Sequence, residues 1–150
     1  MSTDVSIRPI REEDWEEWCI LWRGYLEFYE SILPPEVYKS SFDRMLSNSD
    51  VEFGGLVAVK EGKLIGLAHF LFHRHGWKVE NVTYLQDLFV SPDTRGTGAG
   101  RQLMMAVYDA ADTAHAPVVY WNTQDFNATA RVLYDKVGQL TPFIKYTRKL

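Results

Sequence analysis

Three glycines at alternate positions, Gly96, Gly98 and Gly100, follow Arg95 where one kind of sequence pattern gives way to another. Before them runs the apolar, β-type stretch Tyr84-Leu85-Gln86-Asp87-Leu88-Phe89-Val90, stopped by Ser91-Pro92. After them, Leu103, Val107, Ala111 and Ala114 recur at helical spacing. A strand, a glycine turn and a helix N-terminus in succession make an anion site. The glycines admit close approach, the first-turn amides are unpaired, and the helix dipole adds partial positive charge. The chemistry such a site serves is the holding of phosphate. Two nucleotide signatures are excluded by spacing. A P-loop needs lysine and a hydroxyl residue after its last glycine, where Arg101-Gln102 stands. The dinucleotide fingerprint needs its third glycine one residue later and a carboxylate ending the next strand, which here ends in Trp121-Asn122.

A second group of candidates lies at Asn127-Ala128-Thr129-Ala130-Arg131-Val132-Leu133-Tyr134-Asp135-Lys136-Val137-Gly138. Seven residues turn a helix by about 700°, roughly 20° short of two turns, so Asn127 and Tyr134 share one stripe. Phe126, Ala130, Leu133 and Val137 form the neighbouring core face, and Gly138 is placed as the C-cap of the helix. Taken alone, Asn127 reads as a helix cap and Tyr134 as an amphipathic surface tyrosine.

The elements that must position these residues follow from periodicity. Val5-Ser6-Ile7-Arg8 alternates as a strand ended by Pro9. Residues 12–30 carry Trp15, Trp18, Trp22, Tyr25 and Tyr29 as a helical aromatic stripe, broken by Pro34-Pro35 and followed by a helix from Glu36 to Leu46. Phe53 to Val59 and Leu64 to His73 read as a hairpin turning at Lys60-Glu61-Gly62-Lys63. Val82 to Val90 is a strand and the glycine turn opens a helix. Pro117 to Trp121 is a strand, Phe126 to Val137 a helix, and Phe143 to Tyr146 a last strand. The order β-α-α-β-β-β-α-β-α-β implies an α+β fold, a mixed α/β arrangement with four helices flanking a central, mixed, mostly antiparallel twisted sheet of six to seven strands.

Length and composition bound the rest. With 150 residues, 46% of them hydrophobic and 14% aromatic, one domain spanning 1–150 with a real core is expected. A net charge of -4 without a lysine/arginine cluster argues against a nucleic-acid surface. One cysteine, Cys19, allows no internal disulfide and suits a reducing compartment. No apolar stretch reaches the roughly 20 residues a bilayer requires, and the N-terminal residues lack a signal-peptide core, so a cytoplasmic protein with no membrane partner is expected.

The spacing Arg95-x-x-Gly98-x-Gly100 resembles the pyrophosphate-binding motif of the GCN5-related N-acetyltransferases, and residues 127–138 match that family's second signature. The element order is also similar, so the resemblance covers nearly the whole chain. Within the family, Tyr84-Leu85-Gln86-Asp87-Leu88-Phe89-Val90 looks closest to the polyamine (spermidine/spermine) acetyltransferases and to a yeast subgroup acting on histones and D-amino acids. The resemblance implies acetyl-coenzyme A as co-substrate and no metal. It places Leu88, Phe89, Val90, Arg95, Gly96, Thr97, Gly98, Ala99, Gly100, Arg101, Asn127 and Tyr134 against the coenzyme. It implies direct transfer of acetyl to a primary amine of a small molecule, a polyamine or amino acid, with Tyr134 as the acid that protonates the departing sulfur. Alternatives are a histone or protein lysine acetyltransferase and a non-catalytic acyl-CoA sensor on the same fold.

Gln86 takes the place where many relatives carry a glutamate base, and an amide cannot accept the proton. A water relay, Asp87 after a local bulge, or a base from elsewhere are the alternatives; strict alternation points Asp87 away from Gln86. For the acceptor, Glu27, Tyr29, Glu30, Asp87 and Trp121 are the candidate contacts, with a solvated acidic helix face as the equal reading of Glu27 and Glu30. His69, His73 and His75 share a spacing that can bind metal, but no carboxylate completes a set. They are expected to be exposed or half-buried strand histidines, with His73 or His75 a minor candidate for lining the substrate site. Cys19 reads as a small core residue. Relatives often pair, so a homodimer is expected, with the aromatic helix from Trp15 to Tyr29 as a candidate surface.

Overall fold

A computed structural model describes residues 4–150; residues 1–3, the start of the segment read for signal-peptide character, lie outside it. Strand β1 (Val5–Pro9) leads through a short turn into α1 (Trp15–Phe28) and α2 (Pro35–Leu46). Strands β2 (Gly54–Lys60), β3 (Lys63–His73) and β4 (Val82–Val90) follow, then α3 (Ala99–Thr113), β5 (Val119–Tyr120) and α4 (Ala128–Val137). The sheet order is β1-β2-β3-β4-β5; the first three pairings are antiparallel and β4–β5 is parallel. The hairpin turn is as expected, with Glu61 and Gly62 at φ 51° and 77° giving the primed turn that two-residue hairpin loops favour.

Alternation along the strands divides the core between two faces. On one, Trp18, Trp22 and Leu26 of α1 and Phe42 of α2 pack on Val57, Leu67 and Phe89. On the other, Leu103, Met104 and Val107 of α3 pack on Ala58, Ala68, Phe70 and Leu85. The aromatic stripe of α1 therefore faces inward: Trp18 is fully buried, stacked on Trp22 at 5.8 Å, and Trp22 on Tyr25 at 4.9 Å. Elsewhere on the same helix, Ile20 and Phe28 are exposed.

Among the described residues the sheet has five strands where six to seven were expected. Residues 143–146 form none, and Leu140, Phe143, Ile144 and Tyr146 are left exposed in a C-terminal arm. A strand needs a neighbour for its N–H and C=O groups, and two-residue β5 offers no ladder to extend. Helix α4 begins at Ala128, so Phe126 is exposed rather than on the core face. At the end of α3, Ala114 is exposed and Ala116 is the buried residue.

Candidate functional site

The turn between β4 and α3 has the geometry its glycines require. Gly96 and Gly98 sit at φ 85° and 81°, left-handed values that a β-carbon disfavours, and Gly98 is the N-cap of α3. A β-carbon at either would meet nothing of the protein within 4 Å, so both positions border open space. Ala99 N–H donates to Thr97 Oγ1 at 3.3 Å and Gln102 N–H to Gly98 O at 3.0 Å. Among the described residues, the amides of Gly96, Thr97, Gly98, Gly100 and Arg101 donate to no acceptor of the chain. These five donors, the dipole of a 15-residue helix, and exposed Arg95 and Arg101 beside them suit a diphosphate. Gly100 has a different reason: it lies under Leu133 Cδ2, 3.4 Å from where its β-carbon would be. Ala99 is buried. Sequence reasoning missed Lys60, which lines an open groove of about 630 Å³ with Asp4, Val5, Gly96, Thr97 and Gln102.

Strand β4 leads out of the sheet toward this turn. It pairs with β5 only at Thr83↔Val119 and Tyr84↔Tyr120, so residues 85–90 have no strand on that side among the described residues. Leu88 and Val90 pack toward α3, while Phe89 is buried against α1. The unpaired edge can offer backbone donors and acceptors to an extended ligand.

Midway along β4 the register slips. His69 faces Asp87 and Phe70 faces Leu85, leaving Gln86 as the extra residue of a β-bulge. Gln86 is exposed, and Asp87 is only 8% exposed on the α1 side. There Asp87 Oδ1 accepts the Tyr25 hydroxyl at 2.6 Å and Oδ2 lies 3.0 Å from His69 Nδ1. Burial, then the Asp87 charge, raises the Tyr25 phenol well above its ordinary value; the same two causes raise Tyr29. His69 is 4% exposed, against the expectation of an exposed or half-buried strand histidine. The i, i+4 and i, i+3 steps that put Trp18, Trp22 and Tyr25 on one stripe are visible in the sequence, but nothing in it pairs that stripe with His69.

Tyr134 of α4 closes the arrangement. Its ring meets Trp121 edge-on at 5.5 Å, and burial, then neighbouring Tyr29, pushes its hydroxyl up to about 12. The charge of Asp87 thus acts on Tyr29, and Tyr29 on Tyr134, so the end of α1, the β4 bulge and α4 share one electrostatic neighbourhood. Trp121 packs against Tyr134 and Tyr108 as a wall of this region. Gly138 is the C-cap of α4, as expected, with extended backbone (φ -146°); a β-carbon there would sit 2.7 Å from the Trp121 ring, which explains the glycine by packing. Asn127 is the N-cap of α4, its Oδ1 accepting from Ala130 N–H at 3.4 Å.

The acidic candidates on α1 stand apart. Glu27 is exposed, and exposed Glu30 takes φ 55° where the chain leaves the helix, with Ser31 N–H closing on Leu26 O at 2.8 Å. His73 is tied to Tyr120 and Arg74 O at the end of β3. No set of three or more His, Cys, Asp or Glu side chains among the described residues is placed to hold a metal. No helix of the described residues is long and apolar enough to cross a membrane. Cys19 is partly buried against the α1-side core, and burial raises its thiol.

Comparison with known proteins agrees with this geometry. The family model described as Acetyltransferase (GNAT) family matches residues 9–139. The D-amino-acid N-acetyltransferase HPA3 of Saccharomyces cerevisiae is 38% identical over 145 residues, covering 96% of this chain and 90% of the yeast protein. The uncharacterized N-acetyltransferase YhfO of Bacillus subtilis is 28% identical over 95% of each chain. In three dimensions the chain is similar to the aminoglycoside enzyme AAC(6')-Iy, solved with the bisubstrate analog CoA-S-monomethyl-acetylneamine. That match has a TM-score of 0.84 at 20% identity and covers 97% of this chain and 98% of that one, a likeness of fold.

Proposed function

The chain belongs to the GNAT acetyltransferase family and is an N-acetyltransferase; we propose that it moves the acetyl group of acetyl-coenzyme A to the primary amine of a small molecule, a polyamine or amino acid. The observation that carries this reading is the continuity of three features: free amides at the Gly96–Arg101 turn, the unpaired edge of β4 leading from it, and half-buried Tyr134 beyond. The activity for which the yeast relative is named, on D-amino acids, supports a small amine over a protein.

In this reading the turn holds the coenzyme's diphosphate, with Arg95, Arg101 and Lys60 adding positive charge. The β4 edge at Leu88–Val90 aligns the pantetheine arm and offers an N–H to the thioester oxygen. A preorganised donor of that kind is worth about 2.7–4 kcal/mol. Tyr134, neutral across the working pH range, delivers a proton to the departing sulfur. A phenol near 12 giving to a thiol near 8.5 is uphill by roughly 5 kcal/mol as an isolated step, so the transfer must run together with arrival of the proton shed by the attacking nitrogen. The amine itself arrives protonated, and freeing its lone pair at pH 7 costs about 4.6 kcal/mol for a lysine-like group.

We take the protein as a single cytosolic domain that forms a homodimer through the bare apolar side chains of the C-terminal arm. The test of function is release of free coenzyme A thiol from acetyl-CoA across polyamines, D- and L-amino acids and lysine peptides. Turnover on a small amine is expected. Turnover confined to peptides, or coenzyme binding without turnover on any amine, would overturn the reading.

A further inference from the structure

Helix α4 carries Tyr134, yet none of its 10 residues is buried. A helix that short is marginal in water without tertiary support. Its hold on the molecule is concentrated in a few half-buried side chains. Leu133 lies over Gly100, and Leu133, Tyr134 and Val137 pack from outside on the α3-side core. The Tyr134 hydroxyl makes no hydrogen bond to the described residues, so no polar partner aims it. Its direction is set by what touches the ring and by where the helix ends.

Trp121 and Tyr108 govern those two things. Trp121, just after β5, meets the Tyr134 ring edge-on at 5.5 Å. The far edge of the indole lies beside Gly138, where a β-carbon would sit 2.7 Å from one ring carbon and 3.0 Å from the next. Tyr108 of α3 lies against the same indole, ring centroids 6.4 Å apart. Its hydroxyl donates to Val137 O at 2.7 Å, a carbonyl in the last turn of α4 with no donor inside the helix. Gly138 N–H closes on Tyr134 O at 2.8 Å. The turn that holds Tyr134 is thus tied to α3 through a side-chain hydroxyl and wedged by an indole. Burial raises the Tyr108 phenol, which keeps its proton in place as a donor at neutral pH.

We propose that Tyr108 and Trp121 are positioning residues for the acid: Trp121 sets the direction of the Tyr134 ring, and the Tyr108 hydroxyl fixes the end of the helix that carries it. This rests on the acetyltransferase reading, in which Tyr134 protonates the departing sulfur, and adds two residues that act through it. Proton transfer needs its two heavy atoms within about 2.6–3.2 Å, and a misplacement of about 1 Å can cost 10²-fold in rate. A phenol on a lightly held helix meets that tolerance only if the helix end and the ring are both fixed. Gly138 then leaves room for the indole that aims the acid.

The test uses the full-length protein, acetyl-CoA and the fastest acceptor among polyamines and D- and L-amino acids. Tyr108→Phe removes only the hydroxyl. Gly138→Ala leaves an extended backbone that alanine adopts freely (φ -146°, ψ -165°), so its effect falls on the Trp121 ring. Each is expected to lower kcat about tenfold, with both KM values within about twofold of wild type. A loss of packing alone would lower kcat with or without the Tyr134 hydroxyl, so each change is repeated in a Tyr134→Phe background. There neither is expected to lower kcat further by more than about twofold, because the group it positions is gone. Falls that multiply with that of Tyr134→Phe overturn the proposal, as do an unchanged kcat or a KM that moves in place of it. Should Gly138→Ala not fold, Tyr108→Phe, which keeps its ring, gives the same reading alone. A wild type that turns over no amine sinks the acetyltransferase reading, and full activity in Tyr134→Phe sinks the assignment of the acid. A slow Tyr134→Phe beside an undiminished Tyr108→Phe sinks this proposal alone.

Discussion

Leu85 and Asp87 stand two residues apart in one strand yet point to opposite faces of the sheet, Leu85 into the α3-side core and Asp87 to Tyr25 on α1. Regular alternation would put both on the same side. The bulge at Gln86 is what divides them, and it turns an aspartate that would otherwise compete for core space into a group beside Tyr25 and Tyr29. A single inserted residue thus re-aims a carboxylate, a common use of bulges near active sites.

Gln86 and Asp87 should separate cleanly on mutation. Gln86→Ala is expected to leave kcat within about threefold, because the side chain is exposed, while Asp87→Asn lowers kcat/KM for the amine by about 10²–10⁴-fold, the usual span for a proton-transfer group. Steady-state rates with saturating acetyl-CoA decide it; the reverse ranking would return the catalytic role to Gln86.

Gly98→Val tests the phosphate turn. Forcing a β-branched residue to φ 81° and crowding the space next to five free amides should raise the acetyl-CoA KM at least about tenfold, with the amine KM little changed. Calorimetric titration with coenzyme A checks the same point without turnover, and an undiminished affinity would remove the turn from the coenzyme site.

Tyr134→Phe should lower kcat by about 10²–10³-fold and leave coenzyme affinity intact. Because burial raises this phenol to about 12, it stays protonated as pH rises, and its donating form is lost only above that value. The wild-type rate should therefore show no fall assignable to Tyr134 between about pH 7 and 10. A pH–rate profile that declines near pH 9 in the wild type and loses that limb in the variant would contradict the assignment.

Asp14 gives a stability prediction away from the site. Arg8 grips its carboxylate at 2.7 and 2.9 Å, Arg11 N–H adds a bond at 2.8 Å, and the Arg8 contact is the chief cause holding this carboxyl below its usual range. Its folded value lies below the unfolded one of about 3.9, so the stabilisation is complete above that pH and is lost as pH falls through the folded value. Asp14→Asn should cost about 1.5–3 kcal/mol at pH 7 by denaturant unfolding, a deficit that shrinks below about pH 4.

The C-terminal arm predicts the assembly. Phe143→Asp with Ile144→Asp should convert a dimer to monomer by light scattering, since these side chains have no cover on their own chain. A wild-type monomer would dismiss the homodimer.

Much of this was legible beforehand, for stated reasons. The alternate glycines mark the turn, and the apolar runs of β3 and β4 and the helical period of α3 are strong enough to place those elements. Where reading by pattern failed, the deciding contact was remote in sequence. His69 meets Trp18 across 51 positions and Asp87 across 18, and no local signal reports such pairings. At Gly138 the cap was legible, whereas the Trp121 ring that crowds out a β-carbon there was not. Phe143 to Tyr146 have the composition of a strand, but composition does not supply a neighbour.

Strand β5 is only two residues long, and its shortness has a mechanical outcome. Amides on the flank of β4 away from β3 have no strand partner at residues 85–90 among the described residues, and are expected to exchange readily with solvent. An acyl carrier lying there would behave as a sixth strand, so deuterium uptake across residues 85–90 should slow on loading while the β2–β3 hairpin stays indifferent. Stiffness in this half of the sheet is then borrowed from the substrate and given back at each turnover.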